Sequence, residues 1–146
     1  MGRLDHSERQ ALIRRSFLFK DVPQPILERL AGLSVTKQLD RRETLFNRGD
    51  EGDALYAVVD GLVRIWVGSD SGKELTFSMM EPGDVFGEIA LLEDVPRIAT
   101  IVTRTPCLML TLGRDSFEQI LATAPDLRIA FEQMAAARRR EAEPTP

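Results

Sequence analysis

The chain has 146 residues, of which 43% are apolar and 29% charged. This composition suits one domain with a hydrophobic core and argues against a disordered tail. Its formal charge of −4 provides no overall positive field for binding nucleic acid. The single histidine, His6, and the single cysteine, Cys107, exclude most metal cages, Ser-His and Cys-His catalytic arrangements, and any disulfide framework.

Two short helices are predicted at the start of the chain. The spacing of Leu12, Ile13 and Phe17 predicts a helix over 6–18 with these three side chains on one face. Two prolines follow, and after them a second short helix is predicted to end at Gly32.

After the second helix the pattern changes to short apolar segments separated by turn sequences. Turns at intervals of about 9 to 12 residues predict an antiparallel sandwich or small barrel. The Asp60-Gly61 pair between two apolar segments predicts a hairpin. Leu75, Phe77 and Met79 alternate with polar residues, as expected of a half-buried strand.

Helical spacing returns after Gly113 and continues almost to the end of the chain. Asp115 or Ser116 is a candidate N-cap for the first of two predicted helices, which ends before Pro125. Asp126 is a candidate cap for the last helix. One face of that helix is predicted to carry four apolar residues: Leu127, Ala130, Phe131 and Met134.

The sequence contains no candidate membrane segment. No apolar run approaches the roughly 20 residues of a membrane-spanning helix, and the amino terminus lacks the apolar stretch of a secretory signal. A lone cysteine suits a reducing compartment. We therefore expect a cytoplasmic protein without membrane insertion, or a soluble part of a larger protein.

The segment 86–100 interrupts the strand pattern and has the residue types of an anion site. Gly87 and Glu88 can open a short helix, and Pro96 ends the turn that follows. Backbone N–H groups at a helix start bind anions, and a nearby arginine such as Arg97 can fork onto a phosphate. An ionised Glu88 accepts hydrogen bonds from sugar hydroxyls. Together these residues suit a sugar phosphate.

This segment resembles the phosphate-binding cassette of cyclic nucleotide-binding domains. The glutamate and the arginine are nine residues apart, as in that family, and two earlier turns also match. The resemblance extends over nearly the whole chain, from about residue 17 to 139. The matching stretches are Phe86-Gly87-Glu88-x-Ala90-Leu91, Pro96-Arg97-x-Ala99-Thr100, Gly49-Asp-x-Gly-Asp and Asp60-Gly61.

The resemblance implies an α+β, mainly β fold. We expect an antiparallel β-roll or jelly roll of about eight strands with N-terminal helices, a short phosphate-cassette helix and two C-terminal helices. A single domain is expected over 1–143, with a tail at 144–146. Its predicted parts are helices at about 6–32, the roll at about 34–112 and C-terminal helices at about 115–142.

Roles for the cassette residues follow from the resemblance. Arg97 and the backbone N–H groups of Ala90 and Ile98 are expected to bind the cyclic phosphate. Glu88 and the carbonyl of Gly87 are expected to hold the ribose 2′-hydroxyl.

The resemblance also implies a lid over the base, formed by Arg138 and Met134 of the last helix. Ile98 stands where the family usually has alanine, serine or threonine. It offers no hydroxyl for the phosphate or for a guanine amino group, so we expect cAMP to be favoured over cGMP.

The function implied is that of a cyclic nucleotide sensor, not an enzyme, that reports occupancy by moving its C-terminal helices. Its ligand is cAMP or cGMP, with no other cofactor, no metal and no catalytic residue expected. Candidate partners are an effector protein, a fused domain or a second copy in a homodimer. Because the chain stops where transcription factors of the family continue into a helix-turn-helix domain, DNA binding by this chain is not expected.

Other interpretations stay open at this point. The chain can be a ligand-free interaction or dimerisation module with a degenerate nucleotide site. A metal-dependent cupin shares the roll, but its site needs several histidines. Arg97 can be a surface arginine, Glu88 a helix cap, and Arg138 part of a solvated basic helix end. Cys107 lies in an apolar strand, where inert packing is expected.

Overall fold

The computed structural model describes residues 4–68 and 74–142. These residues form five helices and eight strands, so the prediction of a mainly β roll flanked by helices is confirmed. In chain order the elements are α1 (His6–Arg14), α2 (Gln24–Leu33), β1 (Val35–Leu39), β2 (Thr44–Phe46), β3 (Ala54–Asp60), β4 (Val63–Gly68), β5 (Glu74–Met80), β6 (Val85–Phe86), α3 (Glu88–Glu93), β7 (Thr100–Thr103), β8 (Cys107–Gly113), α4 (Arg114–Thr123) and α5 (Pro125–Ala142).

The strands form two antiparallel four-stranded sheets. The first sheet has the order β1-β8-β3-β6 and the second has the order β2-β7-β4-β5. Val58 and Met109 of the first sheet share a buried cluster with Val63 and Ile101 of the second. The two sheets therefore pack face to face around an apolar core.

The helices cover the other face of the first sheet. Because successive side chains of a strand point to opposite faces, Leu55 and Leu110 turn away from the core between the sheets. They pack with Phe117 and Phe131 of the C-terminal helices in a second buried cluster. The rings of Phe117 and Phe131 meet edge to face, with their centroids 5.1 Å apart.

The hairpin predicted at Asp60-Gly61 is wrong. Strands β3 and β4 belong to different sheets, so this turn carries the chain from one sheet to the other. Gly61 has φ +94, and a Cβ there would lie 2.4 Å from the carbonyl oxygen of Pro106. The glycine is therefore needed where this crossover passes close to the return crossover between β7 and β8.

The alternation predicted for β5 is also interrupted. Ile65 pairs with Ser78 and Trp66 pairs with Thr76, so one residue of β5 is skipped at a register shift. Residues on either side of such a bulge change faces, and Met79 is accordingly exposed. The inward-facing residue there is Met80. The side chains of 75 and 77 lie outside the described residues.

The first helix is shorter than predicted. It ends at Arg14, whose guanidinium donates hydrogen bonds to the carbonyls of the following loop, including that of Val22 at 2.8 Å. Phe17 therefore lies outside the helix, is 81% exposed and does not join the apolar face. Helix α2 does not end at Gly32 but continues to Leu33.

The predicted caps of the last two helices are wrong. Gly113 is the N-cap of α4, so Asp115 lies in its first turn and Ser116 is also inside the helix. Pro125 begins α5 and places Asp126 in the first turn. Acidic residues at these positions still interact favourably with the helix dipole.

Cys107 is buried. Its Sγ lies within hydrogen-bond distance of the carbonyl oxygens of Leu62 and Thr105, at 3.3 and 3.2 Å. Burial raises the pKa of the Cys107 thiol, which disfavours the reactive thiolate.

Candidate functional site

A short helix, α3, is inserted between β6 and β7 and begins directly after Gly87. Gly87 has φ +94, and a Cβ at this position would lie 3.0 Å from Arg97 Nη1 and 3.2 Å from Ala54 O. Only glycine adopts this conformation at low cost and lets the arginine approach so closely. Gly87 thereby fixes the direction in which Glu88 enters the interior.

Arg97 is buried beside the start of α3. Its Nη1 donates to Gly87 O at 3.0 Å and its Nη2 donates to Ala54 O at 2.8 Å. Asp53 lies 3.5 Å from Nη2 on the exposed side, and the guanidinium stacks over the Phe46 ring at 4.0 Å. Burial lowers the pKa of Arg97, but an arginine stays cationic at neutral pH.

Glu88 is 1% exposed, which makes it the most buried charged residue of the site. Its Oε1 accepts a hydrogen bond from Arg138 Nη1 at 2.7 Å. Its Oε2 is buried and has no hydrogen-bond partner among the described residues. Burial raises the pKa of Glu88, while the positive charge of Arg138 acts in the opposite direction.

A small cavity lies between these two charged side chains. Its volume is about 50 Å³, room for one or two water molecules. Arg97 Nε is also buried without a partner among the described residues, so the site holds one unpaired donor and one unpaired acceptor. Six of the seven residues predicted for the ligand line the cavity: Gly87, Glu88, Ala90, Arg97, Ile98 and Arg138.

The seventh predicted residue, Met134, is not brought to this cavity. It is half-buried against the helical cluster that contains Phe131, and it lines a separate surface cleft. Met134 lies one helical turn before Arg138 on α5, and only the longer arginine side chain reaches the cavity wall.

The structure adds residues that the sequence reasoning missed. Phe46 and Met80 supply apolar walls, and Asp53 and Ala54 hold Arg97. Gly52 is needed because a Cβ there would lie 2.5 Å from the Ala90 Cβ. Gly52 and Asp53 belong to the Gly49-Asp-x-Gly-Asp motif, which the sequence already pointed out. No sequence pattern indicated Phe46.

Helix α5 is attached to both ends of α3 through neighbouring arginines. Arg138 pairs with Glu88 at the first residue of α3, and Arg139 pairs with Glu93 at its last residue. Between them, Leu91 belongs to the same buried cluster as Phe131 of α5. A displacement of α3 would therefore change its direct contacts with α5.

Comparison with known proteins decides the family. The family model described as cyclic nucleotide-binding domain matches residues 36–124, which include both sheets and the whole segment around α3. The chain belongs to the cyclic nucleotide-binding domain family. The resemblance noted in the sequence is thus confirmed, and α3, Gly87 and Arg97 lie within the matched residues.

Curated relatives of this cyclic nucleotide-binding domain are regulatory proteins. The chain is 29% identical over 134 residues to the CRP-like cAMP-activated global transcriptional regulator of Mycobacterium tuberculosis, covering 88% of this chain and 58% of the regulator. It is 34% identical over 98 residues to the cAMP-dependent protein kinase regulatory subunit of Yarrowia lipolytica, covering 67% of this chain and 25% of the subunit. The chain therefore spans little more than half of the first relative and a quarter of the second.

A solved structure shows the same fold with a nucleotide bound. The regulatory domain of Toxoplasma gondii PKA, crystallised with cAMP, is 32% identical to this chain and superimposes with a TM-score of 0.75. The match covers 81% of this chain and 46% of the other.

Within residues 4–68 and 74–142, no helix is long and apolar enough to cross a membrane. The same ranges contain no group of three or more His, Cys, Asp or Glu placed to hold a metal ion.

Proposed function

We propose that this chain is a cAMP-binding regulatory module. The observation that carries the proposal is the pair of unpaired polar atoms at one cavity, the donor Arg97 Nε and the acceptor Glu88 Oε2. Buried polar atoms are nearly always hydrogen-bonded, and an exception calls for a partner. A ligand with an anionic group and a hydroxyl satisfies both atoms, and the phosphate and ribose of a cyclic nucleotide are such groups.

The cassette residues take complementary roles in this proposal. The guanidinium of Arg97 and the N–H groups of Ala90 and Ile98 donate to the phosphate oxygens. The ribose 2′-hydroxyl donates to Glu88 Oε2. Because Arg97 Nη1 already donates to Gly87 O, phosphate binding exchanges that bond for a charge-assisted one, and Gly87 O becomes available to the ribose.

The base would lie against the apolar part of the cavity, with Arg138 over it as a lid. Ile98 lines the cavity and supplies no hydroxyl for the amino group of guanine, which supports cAMP over cGMP. The cAMP-bound structure of the Toxoplasma relative, at 32% identity, supports the same ligand.

Signalling follows from the size of the cavity. A volume of about 50 Å³ is far below the roughly 300 Å³ at which ligand pockets begin, so a nucleotide binds only after a wall has moved. Arg138 is the wall residue carried by a terminal helix, and its side chain is 20% exposed. In the proposal Arg138 leaves Glu88 to admit the nucleotide and then covers the base. A ligand that binds only the opened form shifts the equilibrium towards it, so occupancy repositions α5.

The output of this movement would pass to an effector protein, a fused domain or a second copy of the chain. The relatives named above act on transcription or on a kinase, and this chain contributes no chemistry of its own in the proposal. A cytoplasmic location fits this role.

The small cavity also favours a second candidate, a ligand-free interaction module. In this alternative Arg97 and Glu88 are structural, held by Gly87 O, Ala54 O and Arg138 as observed. The two candidates differ in whether a nucleotide stabilises the folded chain.

Thermal unfolding with added nucleotides separates the candidates. A ligand that binds only the folded state raises Tm by mass action. We expect cAMP to raise Tm in a saturable way, cGMP to do so at higher concentration, and adenosine, which lacks the phosphate, to have no effect. No shift with millimolar cAMP would contradict the proposal and support the ligand-free module.

The role of Ile98 in selectivity is tested with Ile98→Thr. The introduced hydroxyl should reduce the difference in affinity between cAMP and cGMP. Ile129→Thr, at a residue of α5 that is 52% exposed, is the matched control and should leave the difference unchanged. An unchanged difference in both variants would remove Ile98 from the explanation.

A further inference from the structure

An arginine-rich groove lies on the outer face of the second sheet, on the opposite side of that sheet from the nucleotide cavity. Its volume is about 990 Å³. The groove, called the arginine groove below, is defined by five arginines and the chain's single tryptophan: Arg41, Arg42, Arg48, Arg64, Arg104 and Trp66.

Strand alternation separates the groove from the cavity. Arg64 and Trp66 of β4 line the groove, while Ile65 between them lines the cavity. In β7, Thr100 and Val102 line the groove, and Ile101 lines the cavity. The two sites share no lining residue among those described, so the groove is a second site and not an extension of the first.

The charge of the groove contrasts with that of the chain. Its described lining includes five arginines and no aspartate or glutamate. Because the whole chain has a formal charge of −4, the remainder of the chain carries −9. Asp40 and Glu43 are close in sequence to Arg41 and Arg42 but do not line the groove. Glu43 Oε1 accepts a hydrogen bond from the backbone N–H of Asp40 in the turn before β2. Like charges gathered in a concavity concentrate the positive potential there.

Two features of the groove indicate an anionic occupant. Arg64 Nε is buried and has no hydrogen-bond partner among the described residues. The guanidinium carbon of Arg64 lies over Trp66, 5.1 Å from the ring centroid, and this cation–π contact favours one orientation of the planar donor fork. A guanidinium positioned in this way recognises carboxylate or phosphate groups in two-point contacts, and movement of Arg64 towards such a group would also give its Nε a partner.

We propose that the arginine groove binds an acidic segment of a partner protein. A short peptide with several carboxylates can lie within the concavity and place its charges against the separate arginines. A nucleic acid strand carries negative charge along its whole length. The part of a strand that extends beyond the groove would be repelled by the remainder of the chain, whose formal charge is −9. Arg64 lies over one face of the half-buried Trp66, so a base stacking on that face would have to displace the arginine. A concave surface fits a flat bilayer poorly.

The groove can be tested with the full chain and a short synthetic peptide of alternating glutamate and serine. Trp66 is the only tryptophan, so its fluorescence reports binding in the groove directly. Anisotropy of a dye on the peptide gives a second measure. We expect saturable binding that weakens as salt is added and is absent for the matched peptide with glutamine in place of glutamate.

Charge reversal at the exposed rim provides the decisive comparison. Arg41→Glu combined with Arg104→Glu should weaken peptide binding at least about tenfold. Arg128→Glu combined with Arg140→Glu, at two exposed residues of α5, changes the net charge by the same amount outside the groove and should change affinity less than about twofold. Circular dichroism confirms that each variant is folded, and neutral Arg41→Gln with Arg104→Gln gives the intermediate case.

Several results would overturn the proposal. Equal loss in the groove and control variants would show non-specific attraction, and equal binding of the glutamine peptide would exclude charge recognition. Tighter binding of a single-stranded oligothymidine or of phosphatidylserine vesicles than of the acidic peptide would assign the groove to another class of partner. Because the groove and cavity are separate, the result stands whether or not cAMP binds.

Discussion

Arg138 Nη1 lies 2.7 Å from Glu88 Oε1, although the two residues are 50 positions apart in the chain. The contact joins α5 to the first residue of α3. It uses one carboxylate oxygen of Glu88 and leaves the other, Oε2, without a partner among the described residues. The group proposed to bind the ribose is therefore also the group that holds α5.

Glu88→Gln should weaken cAMP binding and make it insensitive to the ribose 2′-hydroxyl. A hydrogen bond to a charged acceptor contributes about 1.5–3 kcal/mol, so the loss should be about tenfold or more. Calorimetric titration of both proteins with cAMP and 2′-deoxy-cAMP forms a double-mutant cycle. The wild type should bind the deoxy ligand more weakly, and the variant should bind the two ligands almost equally.

Equal affinity of the wild-type protein for cAMP and 2′-deoxy-cAMP would show that Glu88 does not hold the ribose. Glu93→Gln, at the other end of α3, is the matched control and should preserve the difference between the ligands.

Arg138→Gln should weaken cAMP binding and speed its dissociation. The substitution removes the lid and leaves Glu88, at 1% exposure, without a compensating charge, which favours its protonated form. A fluorescent cAMP analogue displaced by excess cAMP in a stopped-flow instrument gives the dissociation rate, which should rise about tenfold.

The neighbouring arginine provides the control for this prediction. Arg139→Gln breaks a pair with Glu93 in which both side chains are more than a third exposed, and such pairs contribute little. Its dissociation rate should stay within about twofold of wild type. Equal effects of the two substitutions would mean that Arg138 acts only by attaching α5, not through the cavity.

Glu88 should also make stability depend on pH in the opposite direction to an ordinary carboxylate. Burial raises the pKa of Glu88 in the folded state above its ordinary value of 4.5. Between pH 4.5 and this raised pKa, the folded state therefore binds more protons than the unfolded state. The contribution of Glu88 to the free energy of unfolding is therefore highest below pH 4.5 and falls as the pH rises through the pKa of the folded state.

Urea denaturation of ligand-free protein over a pH series measures this dependence. Glu88→Gln cannot titrate, so its free energy of unfolding should fall less with rising pH than that of the wild type. Glu132→Gln, at an exposed residue of α5, should follow the wild-type curve. A Glu88→Gln curve parallel to the wild type would contradict the raised pKa.

The fold was predictable because its signals are local. Turn sequences at regular intervals and helical spacing at both ends of the chain identified the roll and its flanking helices. The error at Asp60-Gly61 has a physical origin, since a two-residue turn signal describes local backbone shape and not which sheet the next strand joins. There the glycine serves the close approach to Pro106, a contact with a residue 45 positions away.

The site was predictable to the extent that its residues lie in one segment. Glu88 and Arg97 are nine positions apart in the cassette, and their residue types announce a hydroxyl acceptor and an anion donor. Phe46 stacks on Arg97 from a distant strand, and no local pattern marks it. Whether Met134 reaches the cavity depends on where along its length α5 passes α3, which helical spacing alone does not determine.

The central claim is that cAMP binds through Arg97, and calorimetric titration of wild type and Arg97→Ala with cAMP tests it most directly. Thermal unfolding without ligand confirms that the variant is folded, and Arg104→Ala, outside the cavity, is the matched control. The proposal predicts one cAMP per chain for the wild type and for Arg104→Ala, with affinity lower by one or more orders of magnitude in folded Arg97→Ala. Equal affinity in folded Arg97→Ala, or no binding of cAMP by the wild type, would contradict it.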